Sequence, residues 1–216
     1  MIKKRFKKTI KKLLLKLYVF LHNHSYKKIS KWAKKIEGVH PKHRIMDYQQ
    51  FFADNVNSTD EILDIGHGNG LLSKSIAKKA KTVIGIDIKN EKEKEIIANI
   101  TFIKGDATTY NFNKTFDKII LSNVLEHIED RISFLKKLHK LSGTILIRVP
   151  MENRDWITVY KKEMGLEYRL DKTHFIEYTL ETLKEELNQS DWGLVSYRVN
   201  WGELWGELKS NKQTQT

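Results

Sequence analysis

The chain has no cysteine among its 216 residues. Disulfides, thiolate metal sites and a cysteine nucleophile are thereby excluded, and a cytoplasmic setting is expected. It also has no long apolar run. The stretch Leu13–Leu21 is interrupted by Lys16, lacks a small-residue cleavage pattern and is too short to span a bilayer. No cleavable leader is therefore expected, and no internal repeat or low-complexity linker stands out. Acids are almost missing from the first 44 residues, which hold 15 Lys or Arg against the single acid Glu37, a balance of +14. The remaining residues hold 24 Lys or Arg and 26 acids, a balance of −2. A basic arm thus precedes a near-neutral body. With 40% hydrophobic residues, the body has enough apolar material for one ordinary domain, and global disorder is excluded.

Within the arm, Ile2, Phe6, Ile10, Leu13, Leu17 and Leu21 recur at three- and four-residue steps, while Lys3, Lys4, Lys7, Lys8, Lys11 and Lys12 occupy the rest. A helix of this kind lies well at an anionic membrane surface, the expectation for residues 1–21. Packing on the domain or a partner, and binding of nucleic acid phosphates, are the alternatives.

The densest information lies in Ile62–Gly70, I-L-D-I-G-H-G-N-G, followed by L-L-S-K-S-I-A-K-K-A. An apolar strand enters a glycine-rich turn that opens a helix, as nucleotide sites on parallel sheets are built. Gly66, Gly68 and Gly70 allow close approach of a ligand to the backbone, and helix amides favour an anionic group. Asp64 stands inside the strand end, where a pyrophosphate would be repelled. A ligand carrying a cation beside its anion, such as an amino-acid tail, fits better. Asp87 closes the next apolar run, T-V-I-G-I-D-I, at the spacing that serves ribose hydroxyls. Asp106 follows in F-I-K-G-D-A.

In this order the glycine turn, Asp87 and Asp106, with the downstream segment F-D-K-I-I-L-S-N-V-L-E-H-I, resemble the class I S-adenosylmethionine-dependent methyltransferases, over roughly residues 60–209. The resemblance implies S-adenosyl-L-methionine as cofactor, its methionine moiety at the D-x-G-x-G-x-G loop, its ribose at Asp87 and its adenine near Gly105-Asp106. It implies an α/β, Rossmann-like fold: a mostly parallel seven-stranded sheet with an antiparallel last strand, preceded by N-terminal helices. Helices are expected near 2–21, 25–37, 42–56, 70–80, 90–98, 130–141 and 179–189, and strands near 61–65, 82–87, 100–104, 116–121 and 143–149. Gly193–Trp201 and Glu203–Lys209 supply the last two strands. The expected boundaries are 1–56 for the helical region, 57–210 for the cofactor domain and 211–216 for a polar tail.

The catalytic segment is S-N-V-L-E-H-I, Ser122–Ile128. Asn123, at a strand end facing the cofactor, joins the cofactor-binding set. His127 has a suitable pKa to deprotonate an alcohol, with Glu126 beside it; fixing the loop is the alternative role for both. His174, in T-H-F-I-E-Y-T, is expected to help shape the acceptor pocket. No resident metal is expected. E-x-x-E-H marks a divalent-ion site in ubiquinone-pathway and small-RNA O-methyltransferases, but here Asn123 replaces the first acid, leaving only a mixed Glu126, His127 and His174 set. Aromatic, acidic and amide groups in residues 150–178 suit a polyol. H-P-K-H-R-I-M-D-Y-Q-Q-F-F and the W-G-E-L-W-G-E-L tail resemble bacterial methyltransferases associated with surface-polysaccharide synthesis. The expected reaction is methylation of a hydroxyl on a small-molecule or glycan acceptor, a sugar or lipid-linked glycan. RNA or a quinone-like lipid is the enzymatic alternative, and a non-catalytic cofactor-binding regulator the other. The absence of N-P-P-Y or D-P-P-Y argues against amino-group methylation of nucleic acid bases.

Overall fold

The computed structural model describes residues 2–89 and 98–212, with side chains from Thr9 onward. The helix expected near 90–98 falls almost wholly outside the described residues, as does most of the expected 211–216 tail. The core is a seven-stranded sheet of order β3-β2-β1-β4-β5-β7-β6. Its strands are β1 (Glu61–Ile65), β2 (Thr82–Asp87), β3 (Ile100–Lys104), β4 (Lys118–Ser122), β5 (Thr144–Pro150), β6 (Trp192–Asn200) and β7 (Glu203–Ser210). β7 runs antiparallel to both its neighbours, and the four pairings among β1 to β5 are all parallel. The central strands are apolar on successive residues because both faces are covered; β5 is buried along its whole length.

Helices cover the two faces. On one, α3 (Tyr48–Asp54) and α4 (Leu71–Ala77) bring Tyr48, Phe52 and Ile76 against Ile62, Leu146 and Trp205. On the other, α5 (Arg131–Leu138) and α7 (Leu180–Gln189) bring Phe134, Leu138, Leu183 and Leu187 against Ile145, Ile147 and Trp192. Alternation along β5 sends Leu146 to the first cluster and its neighbours Ile145 and Ile147 to the second. The chain leaves β1 toward β2 and returns on the other side as β4. The crevice beyond the carboxyl ends of β1 and β4 is therefore the place for a ligand.

Four expectations about local structure change. The helices anticipated at 2–21 and 25–37 form one helix, α1 (Ile2–Glu37), about 54 Å long at 1.5 Å per residue. No glycine or proline interrupts that stretch before Gly38. The helix anticipated at 42–56 is divided into α2 (Lys42–Met46) and α3 by Asp47, whose φ of 49° is left-handed. Because Tyr48, Phe52 and Val56 enter the core, this part of the N-terminal region belongs structurally with the sheet. The segment after β5 contains an unanticipated helix, α6 (Trp156–Glu163), whose start is fixed by the Asp155 carboxylate accepting from Thr158 N at 2.6 Å. Finally, α4 ends at Ala77, before the expected residue 80.

A buried ion pair locks the late strands to the ligand end of the sheet. Arg148 on β5 and Glu203 on β7 are 2% and 6% exposed, and Arg148 Nη2 donates to Glu203 Oε1 at 2.9 Å. The guanidinium lies 3.7 Å from the centre of the Tyr48 ring. Glu203→Ala would strand the Arg148 charge in the interior, at a cost of about 3–5 kcal/mol. Denaturant unfolding is expected to show a lower midpoint at unchanged m-value, with much of the loss recovered in the double variant Arg148→Met, Glu203→Leu.

Candidate active site

Local geometry requires the glycines of the first turn. Gly66 has φ 74°, its amide donates to Ile86 O at 2.8 Å, and an added Cβ would lie 2.6 Å from Val124 Cγ2. The turn can therefore close against the segment after β4 only without a side chain at 66. Gly68 and Gly70 also have positive φ, 58° and 71°, and Gly70 caps α4.

Asp64 lies beneath this turn, 1% exposed. Its Oδ2 accepts from Ser73 Oγ at 2.5 Å, whereas Oδ1 is buried with no hydrogen-bond partner. Burial pushes this carboxyl up to about 7, with the nearby Asp87 charge adding to the effect. A cleft of about 160 Å³ opens here, lined by Asp64, Gly66, Gly68, Ser122 and Asn123 on the sheet side and by Lys42, His43 and Tyr48 on the other. Burial, with Arg148 next in effect, lowers the pKa of Lys42; burial and the Lys42 charge bring His43 down to about 4, leaving its imidazole neutral near pH 7. A carboxyl at one wall and an ammonium at the other complement a zwitterionic group.

Asp87 reaches this turn, its Oδ2 accepting from Gly68 N at 2.9 Å and its Oδ1 from Lys89 N at 2.8 Å. Asp106 stands one strand farther out, exposed, with Oδ1 accepting from Thr108 N and Oγ1 at 2.9 and 2.7 Å. Its carboxylate closes its own turn and does not line the cleft, although Gly105 N donates to Asp87 O at 2.9 Å and keeps the two strand ends adjacent. Asn123 lines the cleft and directs Nδ2 to Glu203 Oε1 at 3.4 Å.

Three residues farther along, the short 3₁₀ turn Leu125–His127 carries the second cluster. Phe175 N donates to Glu126 O at 2.8 Å, which draws His174 onto the turn. The His127 and His174 rings meet edge to face, 4.6 Å between centres. Glu126 is fully buried, neither carboxyl oxygen has a hydrogen-bond partner, and burial pushes its pKa up to about 8. His127 is exposed, its Nδ1 lies 3.0 Å from Thr173 Oγ1, and desolvation lowers its pKa. His174 Nδ1 lies 3.0 Å from Glu177 Oε1. One nitrogen of each ring is thus held from behind, leaving Nε2 for a reacting partner.

A family model described as a methyltransferase domain matches residues 37–197. The chain belongs to this family. The methyltransferase is similar to a probable (S)-tetrahydroprotoberberine N-methyltransferase 2 of Papaver bracteatum, 34% identical over 87 residues that cover 36% of this chain and 24% of that protein. It is also similar to a probable ribosomal RNA small subunit methyltransferase A of Methanosphaera stadtmanae, 38% identical over 88 residues covering 37% and 32% of the two chains. The chain spans about a quarter to a third of the length of these relatives. In fold it matches the 1,6-didemethyltoxoflavin-N1-methyltransferase of Burkholderia thailandensis, with TM-score 0.63, 13% identity and coverage of 90% and 89%. NodS, an N-methyltransferase of Bradyrhizobium japonicum, matches with TM-score 0.53, 16% identity and coverage of 71% and 80%. Both structures hold S-adenosylhomocysteine, and the cofactor of this methyltransferase is S-adenosylmethionine. The buried, unpartnered Asp64 oxygen and the side-chain-free turn at Gly66 fit its amino-acid end.

Glu126, His127 and His174 offer ligand atoms within 4.8 Å of one another. One carboxylate and two imidazoles would suit a borderline ion such as zinc better than a hard, oxygen-seeking one. Several site groups escaped the sequence reading: Ser73 under Asp64, Glu177 behind His174, and Arg148 with Glu203 behind Asn123. Lys42, His43 and Tyr48 lay within the quoted 40–52 stretch, where only the proline-led, aromatic pattern pointed to them.

Asp64 generates a proton-linkage prediction. Its pKa is raised from 3.8 in the unfolded chain to about 7, so the free fold binds the extra proton between those values, and stability from this group is lost as pH rises through 7. A cationic amino group entering the cleft would favour the carboxylate and expel that proton. Calorimetry just below pH 7 is expected to show S-adenosylhomocysteine binding with proton release, seen as enthalpies that vary with buffer. Asp64→Asn is expected to bind more weakly without release; unchanged release in that variant would remove Asp64 from the cofactor site.

Proposed function

We propose that this methyltransferase modifies a hydroxyl of a sugar or lipid-linked glycan. The observation that carries the reading is the Glu126, His127 and His174 cluster, built three residues beyond the cofactor cleft on the same strand-end segment. An N-methylation of a free amine needs no such base, whereas a hydroxyl must lose its proton as the new C–O bond forms. S-adenosylmethionine supplies a methyl group on an electrophilic sulfonium. The His127 imidazole would take the proton that the acceptor hydroxyl gives up. Thr173 orients that ring, Glu177 orients His174, and Glu126 beneath them is the acid available to stabilise a protonated ring. Asn123, Asp87 and Asp106 are assigned to the cofactor, Asp106 requiring its carboxylate to turn from Thr108. His127→Ala is expected to reduce turnover roughly 10²-fold with little change in S-adenosylhomocysteine affinity. Activity is expected to survive chelation; loss on chelation, restored by zinc or manganese, would give the three side chains to an ion instead.

The same reading places the enzyme in the cytoplasm, at the inner face of a membrane. Along α1, the partly buried residues Leu15, Val19, Asn23, Ser30 and Ala33 mark the side toward the body. Leu13, Leu17 and Leu21 are exposed on the opposite side at 100° per residue, with exposed Phe20 at the edge between the two sides. The apolar face is therefore left open by the domain, beside a surplus of lysines, which favours a lipid surface over packing on the body. No described helix is long and apolar enough to cross a membrane. Each lysine near an anionic surface would contribute about 1 kcal/mol, less as salt screens it. The intact protein is expected to sediment with anionic vesicles at low salt, and Leu13→Glu, Leu17→Glu to release it with cofactor affinity unchanged. Equal sedimentation of both proteins would refute the apolar contact.

A further inference from the structure

A second cleft, about 310 Å³, lies between α1 and the segment joining β5 to α7. Its floor contains Lys161 of α6, 5% exposed. Lys161 Nζ donates to Asn23 Oδ1 at 2.7 Å and lies 3.2 Å from His22 Nδ1, both on α1. Among the described residues no carboxylate oxygen is within ion-pair distance of this ammonium. A charge buried among neutral partners is expensive and attracts an anion. The other lining charges reinforce the sign. Besides Lys161, four Lys or Arg side chains line the cleft; Arg169 is paired with Glu167 and Arg154 with Glu177, which leaves Lys27 and Lys172 against Asp155, the carboxylate that caps α6.

This cleft is joined to the candidate base cluster by direct bonds. Arg154 in its wall bonds to Glu177, whose Oε1 lies 3.0 Å from His174 Nδ1. Arg169 Nη1 donates to His174 O at 2.7 Å. At the other end, the rim includes exposed Phe20, which stands at the edge of the apolar face of Leu13 and Leu17.

We propose that the cleft between α1 and α6 binds a phosphate group carried on an apolar tail, the phosphate at Lys161 and the tail along the Phe20 side of α1. That this ligand is the methyl acceptor rests on the function proposed above; the phosphate site itself does not. Held there, the phosphate would position a sugar attached to it near His127 through a wall that the base cluster shares.

Equilibrium binding to the full chain tests this, with monomeric dihexanoyl phosphatidic acid and inorganic pyrophosphate as separate probes. The lipid phosphate is expected to bind more tightly than pyrophosphate, and Lys161→Gln to weaken it about tenfold or more, as for loss of a charge-assisted contact. S-adenosylhomocysteine affinity is expected to be unchanged. Asn23→Asp, which would give Lys161 an internal counter-charge, guards against a folding artefact: it is expected to raise thermal stability and abolish phosphate binding. Binding that ignores both substitutions would reflect diffuse attraction to surface lysines and overturn the site. Pyrophosphate binding as tightly as the lipid would overturn the apolar carrier. Lys161-dependent binding in a protein that transfers no methyl group would uphold the site and overturn the function reading alone.

Discussion

The Arg148–Glu203 pair is the interaction on which the ligand end of this fold depends. A guanidinium and a carboxylate that are almost completely buried must satisfy each other, and they do so across β5 and β7. The remaining donors and acceptors of the pair then dictate their surroundings. Arg148 Nη1 reaches Ser122 Oγ at 3.3 Å, Glu203 Oε2 accepts from Trp205 Nε1 at 3.2 Å, and Asn123 Nδ2 approaches Oε1. The flat face of the guanidinium takes the Tyr48 ring. One desolvated charge pair thereby fixes the end of β4, the sole antiparallel strand pairing with β5, and the N-terminal helix α3 around a common centre.

Two carboxyls placed near that centre lack such compensation. Asp64 has one oxygen bonded to Ser73 and one unpartnered, and Glu126 has both unpartnered. Each is pushed toward neutrality by burial. Structural acids in a stable core are normally paired or hydrogen-bonded. Two exceptions on adjoining strand-end segments, one at the glycine turn and one beside a pair of imidazoles, mark where ligand groups complete the polar balance.

The N-terminal helix follows a different rule. Most of its length makes no core, and its contact with the body includes Asn23 Nδ2 donating to Glu167 O at 3.1 Å and the bonds from Lys161. A long helix held through polar contacts at its middle leaves its apolar face available while supplying one wall of a cationic cleft.

Much of this was legible in the linear sequence. Strong local signals marked β1 at 61–65, β2 at 82–87 and β3 at 100–104, because each is a short apolar run stopped by a polar or glycine turn. The glycine turn, Asp64 and Asp87 could be placed because backbone conformation and strand ends impose their own residue types. The helix α6 was less visible: its exposed Trp156 and buried Lys161 obscure the usual amphipathic pattern. By itself, the sequence determined the parallel α/β core, the cofactor turn and the imbalance of charge, all of which follow from spacing and composition along neighbouring residues. Only tertiary structure decided that Glu126, His127 and His174 meet, that Arg148 finds Glu203, and that Lys161 faces α1. Those arrangements join residues tens of positions apart, and their energies come from shared desolvation, which no local pattern encodes.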